Sequence, residues 1–412
     1  MKPRWIVISL LVALATGCGG GEAPPPEAEG LSFKVKRQFI YPEEFPPGKP
    51  YNPGVLVGDY LYIAGQVSLD PQTREQPATI EDQTHTAMKN MGYVLRDAGM
   101  DYDNVVTCHV QLDDMDNYKG MNEVYGSYYT SGRYPARTTL EFPGLPSDSH
   151  VEITCVAYAD KSKIEAVRPG EGATPAAMGP YSPAVWAGDR LYLSGQGGRN
   201  PETNEIDPTI EGQTKQTLEN IGTILKAAGL GFENTVMVNP YYLGPDSYAK
   251  LNSVYKDYFE LGRASARASF CLSRLPGDIS VEITFVATRN LQQKGRVIPD
   301  YMRPRHTSVP GTLDGDTLFL SAKSAIGAGD DIESQFRQSM AHQLDSLKLA
   351  GMGFENVVSA NVYLKDLGDM PRMTELFREY FPNNQPVRTT VQVVEDGPRA
   401  KALEEVALIA VR

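Results

Sequence analysis

Gly58-Asp-Tyr-Leu-Tyr-Ile-Ala-Gly-Gln66 recurs as Gly188-Asp-Arg-Leu-Tyr-Leu-Ser-Gly-Gln196 and again as Gly315-Asp-Thr-Leu-Phe-Leu-Ser-Ala-Lys323. The repetition extends outward in both directions. Ala98-Gly-Met-Asp-Tyr-Asp-Asn-Val-Val106 matches Ala228-Gly-Leu-Gly-Phe-Glu-Asn-Thr-Val236 and Ala350-Gly-Met-Gly-Phe-Glu-Asn-Val-Val358. Val151-Glu-Ile-Thr-Cys-Val-Ala157 matches Val281-Glu-Ile-Thr-Phe-Val-Ala287 and, more loosely, Glu404-Glu-Val-Ala-Leu-Ile-Ala410. The first two copies keep a constant offset of 130 residues (58 to 188, 98 to 228, 151 to 281). The third is shorter, at offsets of 127, 122 and 123 from the second. A period of this length is a domain rather than a solenoid unit.

One copy reads as an α+β module. Tyr60 to Val67 alternates as a half-buried strand does. Thr79 to Ala98 places Ile80, Ala87, Met88, Met91, Val94 and Leu95 on one helical stripe, with Thr79 as N-cap and Gly99 as the stop. Val105–Leu112, Arg137–Phe142 and Val151–Tyr158 read as further strands, and Tyr118–Tyr129 as a second helix. The result is a mixed sheet with two helices on one face. The other face needs cover, which two sister modules can supply. The expectation is three modules about a pseudo-threefold axis with the sheets inward: 38–162, 163–294 and a divergent 295–412.

The chain has 412 residues and a net charge of −12, from 39 Lys+Arg against 51 Asp+Glu. That balance excludes a general nucleic-acid binder, which needs clustered cations. Four Cys without a CxxC pair and five scattered His give no zinc or iron–sulfur spacing. Residues 1–18 combine Lys2 and Arg4 with an apolar run too short to span a bilayer comfortably, ending Ala15-Thr16-Gly17-Cys18. They resemble a bacterial lipoprotein signal in which Cys18 is acylated, with 19–37 as a flexible linker. The expected location is the bacterial cell envelope, lipid-anchored on the outer-membrane or periplasmic side. Cys108, Cys155 and Cys271 lie in apolar alternating runs and read as buried thiols.

Each copy carries one Arg and one Glu at matching places: Arg137 with Glu152, Arg267 with Glu282, and Arg388 with Glu405. The third pair is two residues further apart, with Glu404 as a competitor. Strand parity turns Glu152 away from the helix-covered face. A buried carboxylate costs several kcal/mol unless paired, and the Arg of the same copy is the expected partner. Such a pair is either an interdomain salt bridge or a site in which the Arg fork holds a carboxylate.

Tyr134-Pro-Ala-Arg-Thr-Thr followed by Val151-Glu-Ile, with Ala264-Ser-Ala-Arg-Ala-Ser followed by Leu275-Pro-Gly-Asp-Ile-Ser-Val-Glu-Ile283, resembles the signature of the RidA/YjgF family of reactive-imine deaminases. Met178-Gly-Pro-Tyr-Ser and Leu193-Ser-Gly-Gln196 extend the likeness. It covers roughly 38–412 in three tandem copies, and this chain looks like that family's usual homotrimer fused into one polypeptide. The resemblance implies chorismate-mutase-like modules and hydrolysis of 2-imino or 2-enamino acids to 2-keto acids and ammonia in clefts between modules. It implies that Arg137, Arg267 and Arg388 clamp the carboxylate and that Glu152, Glu282 and Glu405 handle water. Tyr51 and Tyr181, Asn122 and Asn252, Ser194 with Gly195, and Gly65 are implied to line the clefts. No metal or organic cofactor is required. The implied partners are a small imino or keto acid, no nucleic acid, and a membrane met only through the lipid, with the monomer acting as an intramolecular trimer.

The third copy departs from this pattern. Ser308 stands in the Tyr position, Thr374 in the Asn position and Ala322-Lys323 in the Gly-Gln position. Two complete sites are therefore expected. The alternative is an envelope module that captures small carboxylates without turnover; Ala64 in place of Ser favours it. RNA cleavage and a purely structural role for the Arg–Glu pairs are weaker readings. His85 and His109 read as helix surface and strand filler.

Overall fold

The computed structural model describes residues 35–412 except 304, 384 and 396. The proposed signal with Cys18, and most of the linker, lie outside the described residues. Module 1 comprises β1 (Arg37–Ile40), β2 (Gly54–Val57), β3 (Tyr60–Val67), α1 (Ile80–Asp97), β4 (Val105–Leu112), α2 (Tyr118–Ser127), β5 (Ala136–Glu141) and β6 (Val151–Tyr158). Module 2 comprises β7 (Ile164–Val167), β8 (Ala184–Ala187), β9 (Arg190–Leu193), β10 (Gln196–Gly197), α3 (Ile210–Ala227), β11 (Thr235–Leu243), α4 (Ser247–Tyr255), β12 (Ala266–Arg267), β13 (Phe270–Leu272) and β14 (Val281–Thr288). Module 3 comprises β15 (Lys294–Val297), β16 (Gly311–Asp314), β17 (Thr317–Leu320), α5 (Ile332–Leu349), β18 (Val357–Leu364), α6 (Met370–Tyr380), β19 (Val387–Gln392) and β20 (Glu404–Val411). The α+β class and the three mixed-sheet modules are those read from the repeats.

Local chemistry repeats with the sequence. Thr79 caps α1 by accepting from the Asp82 N–H at 3.2 Å. Thr209 does the same for α3 from Gly212 at 3.0 Å, and Asp331 for α5 from Ser334 at 2.8 Å. Gly99, Gly229 and Gly351 end the helices at positive φ. The first sheet runs β1-β2-β3-β6-β4-β5 and the third β15-β16-β17-β20-β18-β19, with only the β4–β5 and β18–β19 pairs parallel. Each module buries its helix stripe on one sheet face; in module 1 that core contains Met88, Met91, Val94, Val151, Ile153 and Ala157.

The opposite faces meet one another. Leu140 and Phe142 of module 1, Tyr241 and Phe270 of module 2, and Val391 and Ala407 of module 3 form one apolar cluster. Arg190 of module 2 is buried against Asp314 and Thr317 of module 3, with its guanidinium 4.5 Å from the centre of the Tyr60 ring of module 1. Its counterparts by register are Tyr60 and Thr317, so this ion pair belongs to one junction alone.

Cys108 and Cys155 are joined by a disulfide, contrary to the expectation of buried thiols. The cause is register: β4 and β6 are antiparallel and place these two residues directly opposite, with Cα atoms 4.2 Å apart. Their separation of 47 residues in sequence gives no hint of that. Cys271 is buried in β13.

Candidate active site

The expected pairing of Arg and Glu within a copy does not occur. In module 1, β6 with Glu152 lies beside β4, whereas Arg137 is on β5 beyond it. Arg137 pairs in parallel register with Cys108, which faces the helices, so its side chain leaves on the helix side. Glu152 leaves on the other. The two functional halves of one module therefore serve different clefts: Arg137 faces Glu282, and Arg388 faces Glu152.

The cleft between modules 1 and 2 is built on the edge of β5. The Arg137 N–H donates to Ser194 Oγ at 2.8 Å, and the Gly195 N–H donates to the Arg137 carbonyl at 3.1 Å. Ser194 Oγ donates in turn to the Ser182 carbonyl at 2.6 Å, which fixes the loop that carries Gly195. The Arg137 guanidinium stands 5.0 Å from the Tyr125 ring centre, 5.4 Å from that of Tyr181 and 5.8 Å from that of Tyr118. Nη2 has a long contact of 3.4 Å to Tyr118 Oη, while Nη1 is buried without a protein partner among the described residues. Asn122 Oδ1 is likewise buried and unpartnered. Gly179 lies so close that a β-carbon there would come within 2.5 Å of Arg137 Nη2.

Glu282 completes this cleft. Its Oε1 lies 1.8 Å from where Gly195 would carry a β-carbon, so any larger residue there would force the carboxyl group out of this position. Burial pushes the Glu282 carboxyl up to about 8, against the pull of Arg137. The cleft holds about 90 Å³, and the loop Thr174–Met178 and Ile279 wall it beside Arg137, Tyr181 and Glu282.

The cleft between modules 3 and 1 is a partial copy. Asn52 of module 1 donates its N–H to the Pro386 carbonyl at 3.3 Å. The Arg388 guanidinium lies 5.6 Å from the Tyr51 ring centre and 5.2 Å from that of Phe377, and burial lowers it to about 10. Glu152 is pushed up to about 8 by burial, and its Oε1 lies 1.7 Å from a β-carbon on Gly65. Ala64 offers no hydroxyl where Ser194 does, and Thr374 of α6 replaces the Asn.

The cleft between modules 2 and 3 is altered more deeply. The Arg267 N–H donates to Ser321 Oγ at 2.8 Å and the Ala322 N–H to the Arg267 carbonyl at 3.1 Å, which establishes Ala322 as the counterpart of Gly195. Arg267 Nη1 donates to Asn252 Oδ1 at 2.7 Å and Nε to Ser269 Oγ at 2.6 Å. Glu405 pairs in register with Tyr363 as Glu282 does with Tyr241, which identifies it rather than Glu404 as the third equivalent. Ala322 thus carries a β-carbon at the position where Gly195 leaves room for the Glu282 carboxyl. Glu405 instead meets Arg399, whose Nη1 is 2.9 Å from Glu405 Oε1 and whose Nη2 donates to Tyr242 Oη at 2.7 Å. Glu404 sits in the helix-side core, where it accepts from Ser339 Oγ at 2.6 Å.

Only the first cleft therefore unites an Arg, an Asn, a Tyr, a Ser-Gly pair and a Glu. The expected count of two is corrected to one, because each cleft takes its Arg and Asn from one module and its Tyr, Gly and Glu from the next. Sequence reading missed Tyr118, four residues before Asn122 on the same helix, and Arg399. The signal for Arg399 was present: the two extra residues between Arg388 and Glu405 fall in the β19–β20 connection that carries it.

The family described as Endoribonuclease L-PSP matches the chain three times, at 42–159, 171–289 and 308–412. A RutC family protein of Pyrococcus horikoshii is 41% identical over 126 residues, which is 30% of this chain and 99% of the relative. The 2-iminobutanoate/2-iminopropanoate deaminase of Mus musculus is 39% identical over 109 residues, 26% of this chain and 80% of the relative. Among solved structures, RidA of the Antarctic bacterium Psychrobacter sp. PAMC 21119 is 34% identical, covering 29% of this chain and 97% of that one at a TM-score of 0.28.

Proposed function

The chain belongs to the Endoribonuclease L-PSP family, and we propose that it hydrolyses reactive 2-imino and 2-enamino acids to 2-keto acids and ammonia in the cleft between modules 1 and 2. The observation that carries this reading is the meeting, in one small cleft, of an Arg137 fork whose Nη1 is buried without a protein partner among the described residues and a buried Glu282 carboxyl that burial pushes up. Arg137 holds the substrate carboxylate and fixes C2 in place. Water adds to C2 as Glu282 gives its proton to the imine nitrogen. The resulting carboxylate takes a proton back from the added water, leaving a neutral carbinolamine. Glu282 then protonates the amine nitrogen and recovers the hydroxyl proton as the C–N bond breaks, so that both protons of the water leave with ammonia and Glu282 returns to its starting state. The wall of Pro175, Ala176, Met178 and Ile279 suits a short apolar side chain. Relatives bearing deaminase names support this reaction class. The net charge of −12 weighs against the nuclease implied by the family's description.

A second reading applies to the cleft of Arg267. With Glu405 held by Arg399, it suits retention of a carboxylate without turnover. We further propose that the three modules make the chain its own trimer, active as a monomer, and that Cys18 anchors it to the envelope. The Cys108–Cys155 disulfide supports an oxidising compartment.

Coupling the full chain to an amino-acid oxidase and following keto acid release tests the reaction. Release no faster than in the uncatalysed control, or full activity in Arg137→Ala, rejects it. Saturable binding of 2-oxobutanoate without turnover leaves the capture reading. Light scattering checks the monomer, and palmitate labelling that survives Cys18→Ala rejects the anchor.

A further inference from the structure

The inner faces of the three sheets enclose a second cavity, of about 120 Å³, to which every module contributes. Strand register orders its walls. Tyr62, Tyr192 and Phe319 pair with Val156, Val286 and Ile409 and close one end with aromatic rings. One step further along, His109, Asn239 and Asn361 pair with Thr154, Thr284 and Ala407 and form a polar belt at equivalent positions. Beyond them, Phe142, Tyr241 and Tyr363 form the other aromatic end.

Two features of the belt bear on what it can hold. Among the described residues, the side chains of His109, Asn239 and Asn361 have no hydrogen-bond partner, while the Tyr62 hydroxyl, on a residue 3% exposed, lies beside the buried Arg190 guanidinium. No Asp, Glu, Lys or Arg lines the space. Burial pushes His109 down to about 4, so the belt is uncharged at neutral pH. An ionic guest would lose its hydration and gain no counter-charge. A hydrocarbon guest would leave amide groups unsatisfied. For scale, a cavity of roughly 150 Å³ accepts benzene.

We propose that this axial cavity is a binding site for a small, neutral, planar ring carrying an amide edge, separate from the carboxylate clefts. The two amide side chains supply both donors and acceptors in the plane of the belt, and the aromatic ends face the ring. The site does not depend on the deaminase reading, since it shares no side chain with Arg137 or Glu282.

The probe is 2-pyridone, titrated into the full-length protein by calorimetry with benzoate as the charged comparison. Saturable one-to-one binding of 2-pyridone is expected. Ser359→Phe, which fills the cavity, should abolish it, and Asn361→Leu, close in volume, should weaken it by about tenfold or more. Arg137→Ala should leave it within about twofold. Should Ser359→Phe fail to fold, Asn361→Leu decides. The proposal is overturned by absence of binding at millimolar 2-pyridone, by binding unchanged in Asn361→Leu, by binding lost in Arg137→Ala, or by benzoate competing for the same place.

Discussion

The carboxyl group of Glu282 occupies the space in which residue 195 would carry its β-carbon, 1.8 Å from that position. Glycine at 195 is thus a condition for placing the carboxyl at all. Gly195→Ala should keep the fold and cost about a hundredfold in kcat/KM, the scale of an ångström's misplacement. The converse pair Ala322→Gly with Arg399→Ala should release Glu405 toward Arg267 and raise keto acid release above the parent. Unchanged rates in both would show that the Glu position does not matter.

The three Arg residues should not be equivalent. Arg137→Ala is expected to remove nearly all turnover, while Arg267→Ala and Arg388→Ala each retain at least about half, because their clefts lack part of the set. Arg137→Lys should not rescue, since an ammonium cannot replace a bidentate fork. Steady-state kinetics of the four variants decides the matter.

Glu282 with a carboxyl near 8 is protonated at neutral pH. If that proton goes to the departing nitrogen, kcat/KM should fall as pH rises through about 8 and show no matching limb near 4.5. A pH–rate profile flat from 7 to 9 would contradict the assignment of Glu282 as proton donor.

The same shifts govern stability. Glu152, Glu282 and Glu404 are each raised from 4.5 to about 8 by burial, so the folded state holds a proton that the unfolded state releases. Their contribution is fully present below about 4.5 and is lost as pH rises through about 8. Glu404 stands where modules 1 and 2 have Val151 and Val281. Glu404→Val should flatten the decline between these limits and stabilise by about 1–3 kcal/mol at pH 8, read by denaturant titration at several pH values.

Replacing Cys108 and Cys155 together with Ala should lower stability by about 2–5 kcal/mol, measured by chemical denaturation. Equality with the parent would show that the β4–β6 ladder holds without the crosslink.

The triplication, the strand parity of Glu152, the Thr79 cap and the identification of Glu405 by its distance to Ala410 were all legible in the chain, because each depends on local periodicity or on comparison between copies. The partner of Arg137 was not. It depends on β6 sitting next to β4 rather than β5, a matter of sheet order that spacing does not encode. The Cys108–Cys155 pairing failed for the same reason. The role of Gly195 is invisible in a sequence, since the constraint comes from a side chain 87 positions away across the β10–β14 pair. Arg190 with Asp314 required knowing which modules touch.

Each cleft draws one wall from each of two neighbouring modules, and module 3 supplies neither wall of the cleft that is whole. In an assembly of identical subunits every substitution is written into all sites at once. Covalent fusion removes that tie: Ala322, Thr374 and Glu404 can accumulate in the third repeat without reaching the cleft between modules 1 and 2, which leaves that repeat as a scaffold on which a different task can be built.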